Sequence, residues 1–152
     1  MKKSVLLFVF ILIGFTGISQ NFNGQKIKLL KTSFITDALN LTSSEAEKFW
    51  PVYNFHTKKI QKLKYMLEGG MQRDIRLAGG LDNLSDEEAQ KFIEDAITLN
   101  NQIAQSKIDL IKELSKIISP KKIIRLQKAE RDFNRRILQE YSKRQRMQRN
   151  KN

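Results

Sequence analysis

The sequence contains no cysteine and very little proline, and both shortages restrict what the protein is. Without cysteine, its 152 residues form no disulfide and carry no lipid attached through a thiol. The only prolines are Pro51 and Pro120, and Lys, Glu, Gln, Leu and Ile fill long stretches that lack both Pro and Gly. Such stretches favour helix over strand, so the sequence predicts an all-α fold.

Side chains placed to catalyse a reaction or to bind a metal or cofactor are also scarce. The only histidine is His56, and no His, Cys or carboxylate stands three or four residues from it, as a transition-metal site on a helix would require. The carboxylates cluster at predicted helix starts, where capping and the helix dipole explain them. Since no strand is predicted, no phosphate loop follows one. We therefore expect no enzymatic activity, no metal site and no cofactor.

The first 20 residues, MKKSVLLFVFILIGFTGISQ, have the layout of a secretory signal. Two lysines precede an apolar run from residue 5 to residue 13, and small residues follow where a signal peptidase cleaves. We expect cleavage between Ser19 and Gln20, which leaves a domain over residues 20 to 142 and a basic, disordered tail over residues 143 to 152. An uncleaved anchor is the alternative, although the apolar run is short for a membrane span.

Capping signals predict where the helices of the mature chain begin. The first helix covers about residues 25 to 39. The second follows Thr42, whose capping partner is Glu45, with Leu41 placed as a hydrophobic staple. Ser85 and Glu88 repeat this arrangement before a third helix of about thirty residues, roughly 45 Å long. The fourth follows Ile118 and the N-cap Ser119, with Pro120 at its first position.

Each predicted helix has one apolar row at three- and four-residue spacing, which we expect to be buried. The rows are Ile27, Leu30, Phe34 and Ala38 in the first helix; Ala46, Phe49, Tyr53, His56, Ile60, Leu63 and Leu67 in the second; Ala89, Phe92 or Ile93, Ala96, Asn100, Ile103, Lys107, Leu110, Leu114 and Ile117 in the third; and Ile123, Leu126, Ala129, Phe133, Ile137 and Tyr141 in the fourth.

Two breaks in the helical pattern bear on function. Pro51 lies inside the second helix, but the row stays in phase from Phe49 to Tyr53, so we expect a helix that bends and continues. Between residues 68 and 83 the pattern lapses, and two Gly-Gly pairs bracket a short segment that has room for one or two helical turns and that we expect to be a hinge or a mobile connector. This connector is a candidate partner-binding surface through Met71, Arg73, Ile75, Arg76 and Leu77.

Helices this long in so short a chain leave apolar surface without a partner inside one copy, because they cannot enclose a thick core. A second copy of the chain is the simplest partner, so we expect a homodimer.

These features resemble the Spy/CpxP family of periplasmic stress proteins, also called the LTxxQ family. The resemblance covers most of residues 25 to 142 and rests on an exported, cysteine-free helical chain with LTSSE at residues 41 to 45 and ISPKK at residues 118 to 122. In that family each box closes with Gln, where this chain has Glu45 and Lys122. The resemblance implies a kinked four-helix cradle formed by an antiparallel homodimer, which acts in the periplasm as an ATP-independent chaperone or an inhibitory stress sensor. A branch of the same superfamily senses metal ions.

The positive charge is concentrated at the C-terminal end. Residues 121 to 152 contain twelve Lys or Arg and three acids, whereas residues 20 to 120 contain fourteen and thirteen. Lys121, Arg125, Lys128, Arg131 and Arg135 share one helical face, which is either a solvated surface or a surface that attracts acidic partners. The expected export would separate the protein from nucleic acid. Anionic lipid head groups, lipopolysaccharide, acidic segments of unfolded chains or an acidic sensor domain are then the expected partners, with at most peripheral membrane contact.

The sequence thus predicts an exported, non-enzymatic helical protein that binds unfolded or envelope proteins as a chaperone or as an accessory of a stress sensor. Two alternatives stay open at this stage. One is a metal-sensing regulator of an envelope signalling system, and the other is a basic adaptor that binds an anionic envelope surface.

Overall fold

The computed structural model describes residues 19 to 149, and these residues are helical almost throughout. The elements are helix α1 (Ser19–Leu39), helix α2 (Ser43–Tyr65), a π-helical turn (Met66–Gly70), helix α3 (Met71–Leu77), a 3-10 turn (Leu81–Asn83), helix α4 (Asp86–Leu114) and helix α5 (Pro120–Arg149). Residues 19 to 149 contain no strand, so the all-α prediction is confirmed. The predicted signal peptide lies outside the described residues, apart from Ser19.

Among residues 19 to 149, none of the helices combines the length and the apolar character that a membrane span needs.

The helices pack as two compact units. The described part of one unit comprises residues 19 to 40 and 125 to 149, and the other unit is Leu41–Ile124. The first five residues of helix α5, 120 to 124, belong to the unit Leu41–Ile124, and its residues from 125 onward belong to the unit that contains α1. Helix α5 extends to Arg149, seven residues past the boundary at residue 142 where the sequence analysis placed the start of a disordered tail.

The capping boxes predicted at Thr42 and Ser85 are both present, and they begin α2 and α4. The backbone N–H of Glu45 donates to Thr42 Oγ1 at 3.2 Å, and the Thr42 N–H donates to Glu45 Oε2 at 2.8 Å. The equivalent distances between Ser85 and Glu88 are 3.2 and 2.9 Å. Each box satisfies two backbone N–H donors, those of the N-cap residue and of the third helical residue, which the helix start would otherwise leave without a partner.

The buried face of α2 is the predicted one. Phe49, Tyr53, His56 and Leu63 are buried, and the other three members of the row are half-buried. The Phe49 ring stacks on Tyr53 with 5.3 Å between centroids and meets Trp50 edge-on at 5.0 Å. The helix continues through Pro51 as predicted, while the bend expected there stays a prediction.

The buried face of α4 differs from the prediction at two positions. Asn100 and Lys107 were predicted to face inward, but both are exposed, and Leu99 and Ser106 take the inward positions instead. A four-residue step advances 40° beyond a full turn and a three-residue step falls 60° short of one, so a single wrong step moves a residue to the edge of the face. The predicted row used the four-residue step from Ala96 and again from Ile103, and both times the shorter step was correct.

In the unit formed by residues 19 to 40 and 125 to 149, α1 packs on α5 through Phe34 and Phe133, whose ring centroids are 5.7 Å apart. Ile35 and Leu39 are fully buried, whereas Leu30 and Ala38, which the sequence analysis placed in the buried row, are exposed. The real face is displaced by one residue toward the C-terminus. In α5, the predicted positions Leu126, Ala129 and Phe133 are buried, but Tyr141 is exposed.

Candidate functional site

The two predicted motif boxes lie together in the unit Leu41–Ile124. Box one begins α2 at residues 41 to 45, and box two begins α5 at residues 118 to 122. Ile118 and Ile123 are buried at 4% and 9% exposure, as expected for a hydrophobic staple across Ser119 and Pro120. The carbonyl of Ser119 accepts the backbone N–H groups of Lys122 and Ile123 at 2.9 and 3.2 Å, which forms the first turn of α5.

The residues that close the two boxes bind each other. Lys122 Nζ donates to Glu45 Oε2 at 2.6 Å, and the two side chains are only 20% and 23% exposed. Glu45 Oε2 therefore accepts two hydrogen bonds, because the same oxygen also accepts the Thr42 N–H. The hydrogen bond from Lys122 is the largest cause that lowers the pKa of Glu45, followed by the bond from the Thr42 backbone. Local sequence patterns predict each box but not this pair, because its two residues are 77 positions apart in the chain.

We predict that acid weakens this connection between the helix starts. The pKa of Glu45 in the folded state lies below its ordinary value of 4.5, so the charged carboxylate favours folding. This stabilisation is complete above pH 4.5 and is lost as the pH falls through the lowered folded pKa. Urea unfolding between pH 7 and pH 3 is expected to show an acid-dependent loss of stability that Glu45→Gln reduces, since glutamine does not titrate.

A double-mutant cycle with Glu45→Gln and Lys122→Gln separates the pair from the cap. At pH 7 the effects of the two substitutions are expected to be less than additive, because each alone already removes the ion pair. Strict additivity would show that the pair contributes nothing. Thr42→Ala in the same series reports the cap alone, with an expected loss of about 1 kcal/mol.

Between the two Gly-Gly pairs the connector forms helix α3, a segment of about two turns as the sequence allowed, and helical hydrogen bonding extends beyond it. The first Gly-Gly pair does not interrupt the chain, because it lies in the π-helical turn, where the N–H of Met71 donates to the carbonyl of Met66. The second pair ends α3. Gly79 and Gly80 have φ angles of 92° and 100°, and their N–H groups donate to the carbonyls of Arg76 and Ile75 at 3.2 and 3.0 Å. This is a Schellman motif, whose left-handed residues explain the glycines.

The connector presents large apolar side chains to solvent. Leu77 is 79% exposed and Leu81 is 72% exposed, whereas Met71 and Ile75 are half-buried. Tyr65, just before the π-helical turn, is 74% exposed. Of the two predicted arginines, Arg73 lies 3.2 Å from the neighbouring Asp74, and Arg76 is in no ion pair among the described residues. The structure therefore places exposed apolar groups beside charges of both signs on this segment, since Glu68, Asp74 and Asp82 are exposed as well as the two arginines.

The basic face of α5 is present, but it contains an acid. Arg125, Lys128, Arg131 and Arg135 are all exposed. Asp132 lies among them and binds Lys128 Nζ at 3.0 Å and Arg135 at 2.9 Å. The hydrogen bond from Lys128 is the largest cause that lowers the pKa of Asp132. The spacing of the basic residues predicted only the positive members of this face, and Asp132, next to Arg131 in the sequence, was not predicted to belong to it.

His56 is buried between α2 and α4 at 4% exposure. Its Nε2 atom lies 3.2 Å from Glu113 Oε1, without the alignment of a hydrogen bond, and Nδ1 has no hydrogen-bond partner in the described part of the chain. In residues 19 to 149 there is no group of three or more His, Cys, Asp or Glu side chains able to hold a metal ion.

Comparisons with protein-family models, with curated proteins and with solved structures found no match for this chain.

Proposed function

We propose that this protein is an exported, ATP-independent chaperone that holds unfolded chains weakly on its connector together with the three residues before it, residues 65 to 83. The observation that carries the proposal is the exposure of Tyr65, Leu77 and Leu81 on a segment that also presents arginine. The signal-like N-terminus adds the expectation that it acts in the cell envelope, in the periplasm.

The connector suits weak binding of many sequences. Removing exposed Leu and Tyr side chains from water lowers the free energy of binding by about 25 cal/mol per Å² of apolar surface buried. The methionines at positions 66 and 71 are unbranched and flexible, which lets such a surface adapt to different clients. Nothing in this mechanism requires a nucleotide or a metal ion.

The basic face of α5 supports the same proposal in a second way. Unfolded segments with acidic side chains are attracted over a distance by a positive surface, before short-range apolar contacts form. The basic face also supports a second candidate function, an adaptor that binds an anionic envelope surface. The two functions differ in the role of the connector, which the adaptor does not need.

A holdase assay tests the proposal. The purified protein is titrated into a chemically unfolded client without ATP, and aggregation is followed by light scattering. We expect Leu77→Gln with Leu81→Gln to raise the concentration for half-suppression about tenfold, which corresponds to a loss of about 1.4 kcal/mol in client binding. The side chains are exposed, so helical content and unfolding midpoint are expected to stay unchanged.

The matched control is Leu29→Gln with Leu138→Gln. These leucines are 71% and 67% exposed but lie in α1 and α5, outside the connector. The control is expected to suppress aggregation as the parent does. A parent protein that does not suppress aggregation, or a connector variant that equals it, would contradict the proposal. Equal binding of the parent and the connector variant to anionic vesicles, with no suppression of client aggregation by the parent, would favour the adaptor.

A further inference from the structure

Helix α5 carries a groove near its C-terminal end, beyond most of the basic face that the sequence predicted. The groove has a volume of about 570 Å³. Three cations, an amide, a hydroxyl and one apolar side chain line it, and all six residues are exposed: Arg135, Lys143, Arg146, Gln139, Ser142 and Leu138. No acid is among the described residues that line the groove. It is therefore a positively charged site, and it shares only Arg135 with the predicted basic face.

The groove lies on the side of α5 that faces away from its packing partner. At 100° per residue, the centre of the six lining positions is about 140° around the helix from the buried row of Leu126, Ala129 and Phe133. Helix α1 packs on that buried row through Phe34. Every lining residue comes from α5 itself. The groove therefore does not enclose a small molecule, and it suits a ligand that approaches as part of a broad surface.

The positive charges of the groove are only partly neutralised. Lys143 and Arg146 are three residues apart, a spacing at which like charges on a helix repel each other. Arg146 is in no ion pair among the described residues. Lys143 Nζ lies 3.8 Å from Glu140, but both side chains are more than half exposed, so this pair contributes little. An anion bound between the cations would remove their repulsion.

The polar groups of the groove suit a phosphate. Arg135 and Arg146 each present a planar fork of N–H groups that matches two phosphate oxygens, and Lys143 adds a point charge. The Gln139 amide supplies one more N–H donor group. The Ser142 hydroxyl already donates to the carbonyl of Leu138 at 3.0 Å. Three cations and one amide are thus the donors that the groove offers to an anion.

Leu138 indicates that the phosphate belongs to a lipid. This leucine is 67% exposed among the cations, and a free phosphate would leave it in water. Arginine and lysine bury their methylene stems in an apolar layer while their charged ends stay at the phosphates. Residues 135 to 149 contain six Lys or Arg and one acid, over a helical length of about 22 Å. Such a segment contacts several anionic head groups at once.

From these observations we infer that the groove at residues 135 to 146 binds the phosphate of an anionic lipid head group, with Leu138 against the adjoining hydrocarbon. The groove lies outside the connector, so this binding does not depend on the proposed chaperone function. It goes beyond the second candidate function, an adaptor for an anionic surface, because it specifies the ligand group and the residues that bind it.

Flotation with lipid vesicles tests this binding, at about 0.15 M salt, where the Debye length is about 8 Å. We expect the full chain to bind vesicles of phosphatidylcholine mixed with phosphatidylglycerol, and not vesicles of phosphatidylcholine alone. Each cation at an anionic lipid surface raises the affinity about fivefold, so Lys143→Gln with Arg146→Gln is expected to weaken binding about 25-fold. Leu138→Gln is expected to weaken it about fivefold, a loss that does not diminish as salt rises, because apolar contact is not screened.

The matched control is Lys59→Gln with Lys62→Gln, which removes two exposed lysines at the same three-residue spacing from α2. It is expected to bind vesicles as the parent does, and all variants are expected to keep the helical content of the parent, because the changed side chains are exposed. The Lys143 and Arg146 variant is also expected to suppress client aggregation as the parent does, so that a failure of vesicle binding is distinguishable from a failure of the chaperone proposal.

Three results would overturn the lipid assignment. One is equal vesicle binding by the parent and the Lys143 and Arg146 variant. Another is displacement from the vesicles by inorganic phosphate more effectively than by chloride at the same ionic strength, which would make free phosphate the ligand. The third is displacement by a glutamate-rich peptide under the same conditions, which would make an acidic protein segment the ligand.

Discussion

Phe49→Ala is expected to reduce the free energy of unfolding by about 3–5 kcal/mol. Phe49 is fully buried in the unit Leu41–Ile124, stacked on Tyr53 and in edge contact with Trp50. Its removal loses the transfer free energy of a large apolar side chain, two ring contacts and the volume that neighbours fill only in part. Because a typical domain is stable by about 5–15 kcal/mol, the variant would lose a large share of its stability.

Phe55→Ala is the matched control, in the same helix and with the same change of side chain. Phe55 is 67% exposed, so its removal is expected to change stability by no more than about 0.5 kcal/mol. Urea titration followed by circular dichroism measures both variants. Equal losses for the two phenylalanines would show that Phe49 is not buried in solution and that the α2 face is misassigned.

The start and the buried face of α2 were predictable because two independent local signals agree there. Thr42 and Glu45 determine the first turn through their own hydrogen bonds, and the row from Phe49 to Leu63 repeats at regular helical spacing. Neither signal needs knowledge of what α2 packs against. The same holds for the start of α4 at Ser85 and for that of α5 at Pro120.

The rest of the fold depended on tertiary contacts, which spacing alone does not determine. Ser106 is buried in α4 although it is polar, while Ile93 and Ile97 are exposed although they are apolar. With apolar residues on two faces of one helix, a single row cannot be identified from hydrophobicity. In α1 the choice between Phe34–Ala38 and Ile35–Leu39 had the same difficulty, since both pairs are apolar and four residues apart.

The candidate site was predictable as a set of residues and not as a set of contacts. The exposed leucine and arginines of the connector and the four basic residues of α5 follow from composition and spacing. The Glu45–Lys122 bond joins residues that are far apart in the sequence, so no local pattern reveals it. The π-helical turn was missed because Gly-Gly normally indicates a break, and here helical hydrogen bonding continues through the pair.

Removing the basic face of α5 is expected to slow the capture of acidic clients about tenfold. Electrostatic steering raises association rates by about 10- to 1,000-fold, and this expectation is at the low end of that range. The variant replaces Arg125, Lys128, Arg131 and Arg135 by Gln. Steering depends on charge and distance, so the association rate falls while the dissociation rate changes little. The fold is expected to survive, because exposed ion pairs such as those of Asp132 contribute little to stability. Stopped-flow mixing with an unfolded client of net negative charge measures the rate.

Asp132→Asn provides the opposite change on the same face. It removes the acid that, among the described residues, binds Lys128 and Arg135, so it raises the positive charge by one and is expected to speed capture. Both variants should approach the parent rate as salt rises well above 0.1 M, where the Debye length is about 10 Å. A client of net positive charge should show the reverse order of rates. If the four-residue variant, the parent and Asp132→Asn capture the acidic client at one rate, the basic face has no part in binding and serves only to keep the protein in solution.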